Sequence, residues 1–168
     1  CNHAAVFEQL KRICIDNDVQ VIVTENVYTM DTRFHSAKQF LNELVNVTKH
    51  EVWHTLVEAE KVGPIYHFDL MVVAPMTSTV LSKFKNGMYD NSVVLAMKAH
   101  LRNNGKVVIG VASNDVLSIS GNNLFSVLNF KNVYSFPFYQ DNPFLKAEVI
   151  FEIVLPSVAA VSANTAPV

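Results

Sequence analysis

Apolar positions recur along this chain with two different periods. In residues 4–17 they fall at Val6, Phe7, Leu10, Ile13 and Cys14, the three-and-four spacing of an amphipathic helix, which Asn17 and Asp18 break. Residues 19–24 are rich in β-branched side chains and predict a strand. A polar loop at residues 29–35 carries Asp31-Thr32-Arg33, and Ser36 opens a second helix with Phe40, Leu41, Leu44 and Val45 on one face. Residues 50–61 fit neither period, and Gly63-Pro64 is a turn. A second strand is predicted at residues 70–74, with helices at 77–86 and 92–102. Asn103-Asn104-Gly105 ends the latter, and Gly105 suits a left-handed cap. Residues 106–112 are a continuous apolar strand closed by Ser113-Asn114-Asp115. A short helix at 124–128, a last strand at 133–138 and a C-terminal helix at 144–161, interrupted at Pro156, complete the pattern.

Strands alternate with helices, and the strands are apolar throughout rather than on alternate residues. Both faces of the sheet must then be covered, which predicts an α/β fold with a parallel sheet between helix layers. Helix signals begin at once after Cys1, so the first strand expected of such a fold is missing from this chain, as in an N-terminally trimmed one. The 168 residues suggest a single domain over 1–156, with a small, uncharged, disordered tail at 157–168.

Composition narrows the function classes. The net charge is -2 with no basic block, which disfavours nucleic acid. No apolar run reaches the roughly 18 residues that span a bilayer. The two cysteines, Cys1 and Cys14, read as thiols of a cytoplasmic protein.

Ligands of parallel sheets sit beyond the carboxyl ends of the strands. Small polar residues stand at three such ends: Thr24, Thr77-Ser78-Thr79 and Ser113-Asn114. Taken singly, each reads more readily as a helix N-cap, worth about 1 kcal/mol. Together they point to one pocket for a phosphate-bearing ligand, because hydroxyls and free N–H groups at a helix start favour an anion. No Gly-x-Gly-x-x-Gly and no Gly-Lys-Ser/Thr loop is present. His50-Glu51-Val52-Trp53-His54 fits the zinc-hydrolase pattern His-Glu-x-x-His, which needs a helix to bring both imidazoles onto one face. Val52, Trp53, Thr55 and Val57 are poor helix formers, and Val57 and Glu60 replace the Gly and His of the longer pattern. No metal is therefore assigned.

Ala74-Pro75-Met76-Thr77-Ser78-Thr79-Val80-Leu81-Ser82-Lys83, followed by Asn86-Gly87-Met88-Tyr89-Asp90, resembles the flavoprotein family that includes the flavin-containing cysteine decarboxylases. Their motif reads Pro-Ala-Ser-Ala-Asn-Thr, then Lys, Asn-Gly and Asp. The resemblance extends to Asp31-Thr32-Arg33-Phe34, Gly63-Pro64, Lys98-Ala99-His100-Leu101-Arg102-Asn103, Ser113-Asn114-Asp115-Val116-Leu117 and Pro137-Phe138-Tyr139-Gln140-Asp141. It implies a three-layer α/β/α Rossmann-like flavoprotein fold and an FMN-type site. In that site Thr24 lies against the flavin, Pro75 and Thr79 belong to the motif, Thr77 and Ser78 bond ribityl or phosphate groups, and Ser113 and Asn114 follow loosely.

Thr79 stands where the decarboxylases carry Asn, and Lys61 where they carry His. Within the family this pattern is similar to the B subunits of dipicolinate synthases. The resemblance then implies oxidation of a dihydrodipicolinate-type precursor to dipicolinate during sporulation, with NAD(P) on an A subunit as partner. It also implies a homo-oligomer. A small dicarboxylate substrate wants a cation, and Arg33 is the best placed, ahead of Lys83 and Arg102; a structural ion pair on a surface loop is an equal reading of it. The catalytic residues stay unassigned. The alternatives are a stand-alone FMN-dependent decarboxylase-like enzyme, a scaffold that has lost its flavin, and the zinc hydrolase.

Overall fold

The computed structural model describes residues 3–32, 36–113, 115, 116 and 118–137, with only the backbone of residues 3–5. Its sheet has the order β1 (Leu70–Met76), β2 (Lys106–Val111), β3 (Val133–Ser135), and both pairings are parallel. The helices are α1 (His3–Ile13), α2 (Glu25–Thr29), α3 (Ala37–Thr48), α4 (Leu56–Ala59), α5 (Ser78–Lys85), α6 (Ser92–Arg102) and α7 (Ile119–Val127).

Strand parity sorts the core. Val73, Val107, Ile109, Val111 and Val133 point to one face, where they pack with Leu81 and Phe84 of α5, Val94 and Met97 of α6, and Leu124 and Val127 of α7. The other face holds Val108 and Phe136, against which Leu70, Ala74 and Ile13 of α1 are partly buried. Both faces of β2 are thus covered, which explains its unbroken apolar run. Each fully buried side chain of this kind contributes roughly 1.5–3 kcal/mol. β1 is more open, with Val72 36% exposed.

The helix starts follow capping chemistry. Ser36 and Thr55 each form a capping box, with Gln39 and Glu58. Burial acts to raise the Glu58 pKa, but N–H groups of Thr55 and His54 and the Thr55 hydroxyl outweigh it and lower the pKa. At the end of α6 the residue in the left-handed region is Asn104 (φ 61°), not Gly105. The Gly105 N–H reaches the His100 carbonyl at 3.0 Å and the Asn104 N–H reaches Leu101 at 3.0 Å, a complete Schellman pair. Gly105 is required for space instead, since a Cβ there would lie 2.3 Å from the His100 imidazole. That ring is 3% exposed, with Nε2 3.0 Å from the Lys106 carbonyl.

Residues 19–24 depart from the predicted strand. They form one isolated parallel bridge, Ile22 with Trp53, closed by Val23 N–H to Trp53 (2.8 Å) and Trp53 N–H to Val21 (3.0 Å). The Gln20 amide, not a backbone group, holds the Glu51 carbonyl at 2.8 Å. A ladder needs further paired residues, and the Gln20 side chain uses the carbonyl that would extend this one. The loop expected at 29–35 is preceded by α2, a short helix no periodicity announces. The helix expected at 124–128 begins at Ile119, because burial of Ser120 and Gly121 overrides the poor helix propensity of Gly121-Asn122-Asn123. The last strand stops at Ser135, although the Phe136 N–H still reaches Ile109 at 3.0 Å. The helix expected at 144–161 and the tail at 157–168 lie outside the described residues. Among the described residues no helix is long and apolar enough to cross a membrane.

Two outcomes follow from this packing. Desolvation lowers the His100 pKa, against the opposing hydrogen bond to Lys106. The unfolded chain therefore takes up a proton at His100 before the folded one does. Its contribution is full above about pH 6.5 and falls as pH drops from there through the lower folded pKa. Urea midpoints should decline over that window, and His100→Gln should flatten the decline. Ser92 donates from a buried hydroxyl to the Val23 carbonyl at 2.5 Å, tying α6 to residues 19–24. Ser92→Ala should cost about 1–3 kcal/mol in urea unfolding and speed amide exchange at Val23.

Candidate functional site at the strand ends

β1 and β2 end level with each other. Met76 pairs with Val111, and the Ala112 N–H bonds the Met76 carbonyl at 2.9 Å. The residues that follow, Thr77-Ser78 and Ser113, are therefore side by side. Thr77 caps α5, its hydroxyl accepting from the Val80 N–H at 3.4 Å. Ser78, one residue on, turns its hydroxyl across to Ser113, with Oγ to Oγ at 2.6 Å.

Both hydroxyls converge on Asp115. Ser78 Oγ lies 3.1 Å from Asp115 Oδ1, Ser113 Oγ donates to the same oxygen, and the Asp115 N–H donates back to Ser113 Oγ at 3.2 Å. The buried Ser120 hydroxyl, in the first turn of α7, also bonds this carboxylate. Ser113 does most to lower the Asp115 pKa, followed by Ser120 and Ser78, so the group is an anion at neutral pH. Gly121 makes the approach of α7 feasible, since a Cβ there would stand 2.1 Å from the Val116 carbonyl. An Asp two residues after a Ser is the signal of a local side-chain turn. Ser120 carries no such signal.

A second cluster follows residues 19–24. Thr24 is half-buried at the start of α2 and makes no capping bond with its side chain. Glu25, next to it, holds His54 Nδ1 at 2.9 Å, and the Tyr28 ring stacks on the imidazole at 3.5 Å between centroids. A carboxylate on Nδ1 orients an imidazole and leaves Nε2 to exchange protons. No sequence signal marks this trio, because Glu25 and His54 are far apart in the chain.

The expected site residues are distributed as follows. Ser78 and Ser113 are brought together, with Thr77 adjoining them; Thr79 is exposed on the first turn of α5, and Pro75 is half-buried in β1 after a cis Ala74–Pro75 peptide. Arg33 and Asn114 lie outside the described residues. Lys83 is paired with Asp90 at 2.7 Å and is not a loose cation. His50-Glu51-Val52-Trp53-His54 is not helical. His50 is bound to Asp18 at 2.5 Å and His54 to Glu25 at 2.9 Å, so each imidazole has its own carboxylate. The zinc-hydrolase reading thus loses the helix it requires. Lys61, where the decarboxylases carry His, sits 5.9 Å from the Trp53 ring.

Known proteins resemble this chain in sequence and fold. The model of the flavoprotein family matches residues 2–160. The dipicolinate synthase B subunit of Bacillus subtilis is 38% identical over 147 residues, covering 87% of this chain and 74% of that protein. The crystal structure of the dipicolinate synthase B subunit from Bacillus halodurans superposes with a TM-score of 0.84 at 34% identity, over 99% of this chain and 88% of that one. An FMN-dependent cysteine decarboxylase of thioviridamide biosynthesis shares the fold, with a TM-score of 0.65 at 20% identity over 96% of this chain and 91% of that one. The parallel sheet, the polar strand ends and these matches together place the chain in the flavoprotein family.

Proposed function

We propose that this chain acts as a dipicolinate synthase B-type subunit in sporulating cells. It would work with an NAD(P)-binding A subunit to oxidise a dihydrodipicolinate-type precursor to dipicolinate. The observation that carries this reading is the 38% identity to a dipicolinate synthase B subunit over 87% of the chain. Two positions support it against decarboxylation. Thr79 offers a hydroxyl where a decarboxylase places an amide, and Lys61 lies on an aromatic ring rather than serving as an imidazole acid.

In this reading the chain supplies substrate binding and the partner supplies the hydride acceptor. Arg33 grips one carboxylate of the substrate through two parallel hydrogen bonds, which fix its orientation as well as its position. The imidazole of His54, which Glu25 holds at Nδ1, is the group of the second cluster with a ring nitrogen left over to bond a substrate.

Thr24, Pro75, Thr77, Ser78, Thr79, Ser113 and Asn114 outline the flavin cradle that family membership suggests. Flavin, when bound, supplies two-electron redox chemistry. The phosphate of FMN does not fit the hydroxyls of Ser78 and Ser113 while Asp115 holds them, so no step of the reaction is assigned to the cofactor. The cytoplasm as location and assembly into a homo-oligomer belong to the same proposal.

Mixing experiments test the reading. Dipicolinate formation should require both this chain and an NAD(P)-binding A subunit. Full activity from the A subunit alone, with no gain on adding this chain, would overturn it. In the reconstituted enzyme Arg33→Ala should raise KM for the dicarboxylate about 10–100-fold, the loss of a charge-assisted bidentate contact, with a smaller change in kcat. An unchanged KM would remove Arg33 from the site.

A further inference from the structure

We infer that Asp115 is a built-in anion that occupies the position a cofactor phosphate would take at the start of α5, so that this chain does not select phosphorylated over unphosphorylated flavin. The inference rests on the family reading, which places a flavin cradle at these strand ends.

The geometry is specific. A phosphate bound beyond β1 and β2 needs O–H and N–H donors aimed at it. Here the Ser113 proton goes to Asp115 Oδ1, and the Ser78 hydroxyl lies between Ser113 Oγ at 2.6 Å and the same carboxylate oxygen at 3.1 Å. Ser120, buried at 2% exposure, adds a third hydroxyl to that carboxylate. Thr77 uses its oxygen to accept from the Val80 N–H. Two of the hydroxyls that would cradle the phosphate, those of Ser78 and Ser113, are thus directed at an internal carboxylate.

Charge adds to the effect. A carboxylate bonded by hydroxyls is held in its ionised form, as the lowered Asp115 pKa reflects. A phosphate placed within reach of Ser78 and Ser113 would meet this negative charge at close range, in a half-buried site where solvent screens it incompletely. The described residues around Asp115 are tied to one another and to α7. The Asp115 N–H bonds Ser113 Oγ, the Asp115 carbonyl accepts from the Ser118 N–H at 2.9 Å, and Gly121 packs against Val116. Asp115 thus places a negative charge beside the first residue of α5, where the helix dipole favours an anion. The isoalloxazine and ribityl portions of a flavin carry no such charge.

The two portions can be separated by titrating riboflavin and FMN, each followed by quenching of flavin fluorescence, into the full chain and into Asp115→Asn. Asn preserves the shape and the hydrogen-bond acceptor while removing the charge, and its amide can donate to a phosphate. Thermal unfolding checks that the variant is folded, and Asp115→Ser serves as a second variant. The wild-type affinities for FMN and riboflavin should agree within about threefold, and Asp115→Asn should raise the FMN-to-riboflavin ratio about tenfold or more. FMN binding that appears only in the variant also supports the inference. A wild-type protein that prefers FMN by tenfold or more, with no gain in either variant, overturns it and leaves the flavin reading standing. Failure of every protein to bind either flavin overturns both.

Discussion

The level ending of β1 and β2 is the constraint on which the rest of the site depends. Met76 opposite Val111, extended by the Ala112 N–H to the Met76 carbonyl, fixes where both chains leave the sheet. A slip by one residue would turn the Ser113 hydroxyl to the other face and separate it from Ser78. Burial sets the register from Leu70 to Val73, and one extra residue in β1 before Met76 then shifts it so that Met76 meets Val111. Val73, Val107, Ile109 and Val111 must all face the layer formed by α5, α6 and α7, and Val108 must face Phe136. Roughly 1.5–3 kcal/mol per buried side chain acts on each of these positions, so the register is far better determined than any single polar contact at the strand ends. The polar cluster inherits its geometry from the apolar one.

That order of causes explains what is readable in the sequence. β1, β2, α5 and α6 each carry a strong local signal: an apolar run, a capping residue, a Schellman ending. They form where the periodicity puts them, within a residue or two at their ends. Residues 19–24 carry an equally good strand signal and make only one bridge, because strand formation depends on a partner and the Gln20 side chain takes part of the partner's backbone. α7 is the reverse case. Gly121-Asn122-Asn123 argues against a helix locally, and packing of Leu124 and Val127 under α5, with Gly121 against Val116, makes one. Gly105 is indispensable, but not as a left-handed cap: the left-handed residue is its neighbour Asn104, and the glycine leaves room for His100.

The candidate site shows the same split. Hydroxyls at the ends of two strands can be predicted to meet, since parallel strands in one sheet end on one side, and Ser78 and Ser113 do meet. What they meet around cannot be predicted from strand ends alone. Asp115 follows Ser113 by two residues, and its role comes from Ser78 and Ser120, which the sheet and α7 bring in from distant parts of the chain. Glu25, Tyr28 and His54 likewise come together only because Ile22 pairs with Trp53. Within the His-Glu-x-x-His pattern, His54 reads as a metal ligand only on a helix. Here the segment is not helical, and each imidazole has its own carboxylate.

An internal carboxylate at the start of α5 also changes how the fold relates to its ligand. A helix N-terminus that waits for a phosphate leaves donors unsatisfied until the cofactor arrives, and cofactor binding then contributes to folding stability. Here Thr77 satisfies the Val80 N–H, and Asp115 accepts the hydroxyls that flank the helix start. The Ser78 and Ser113 hydroxyls therefore have partners without a bound phosphate. These contacts do not depend on a bound phosphate. On the proposed reading, in which another chain carries the hydride acceptor, the polar strand ends hold an architecture rather than a phosphate.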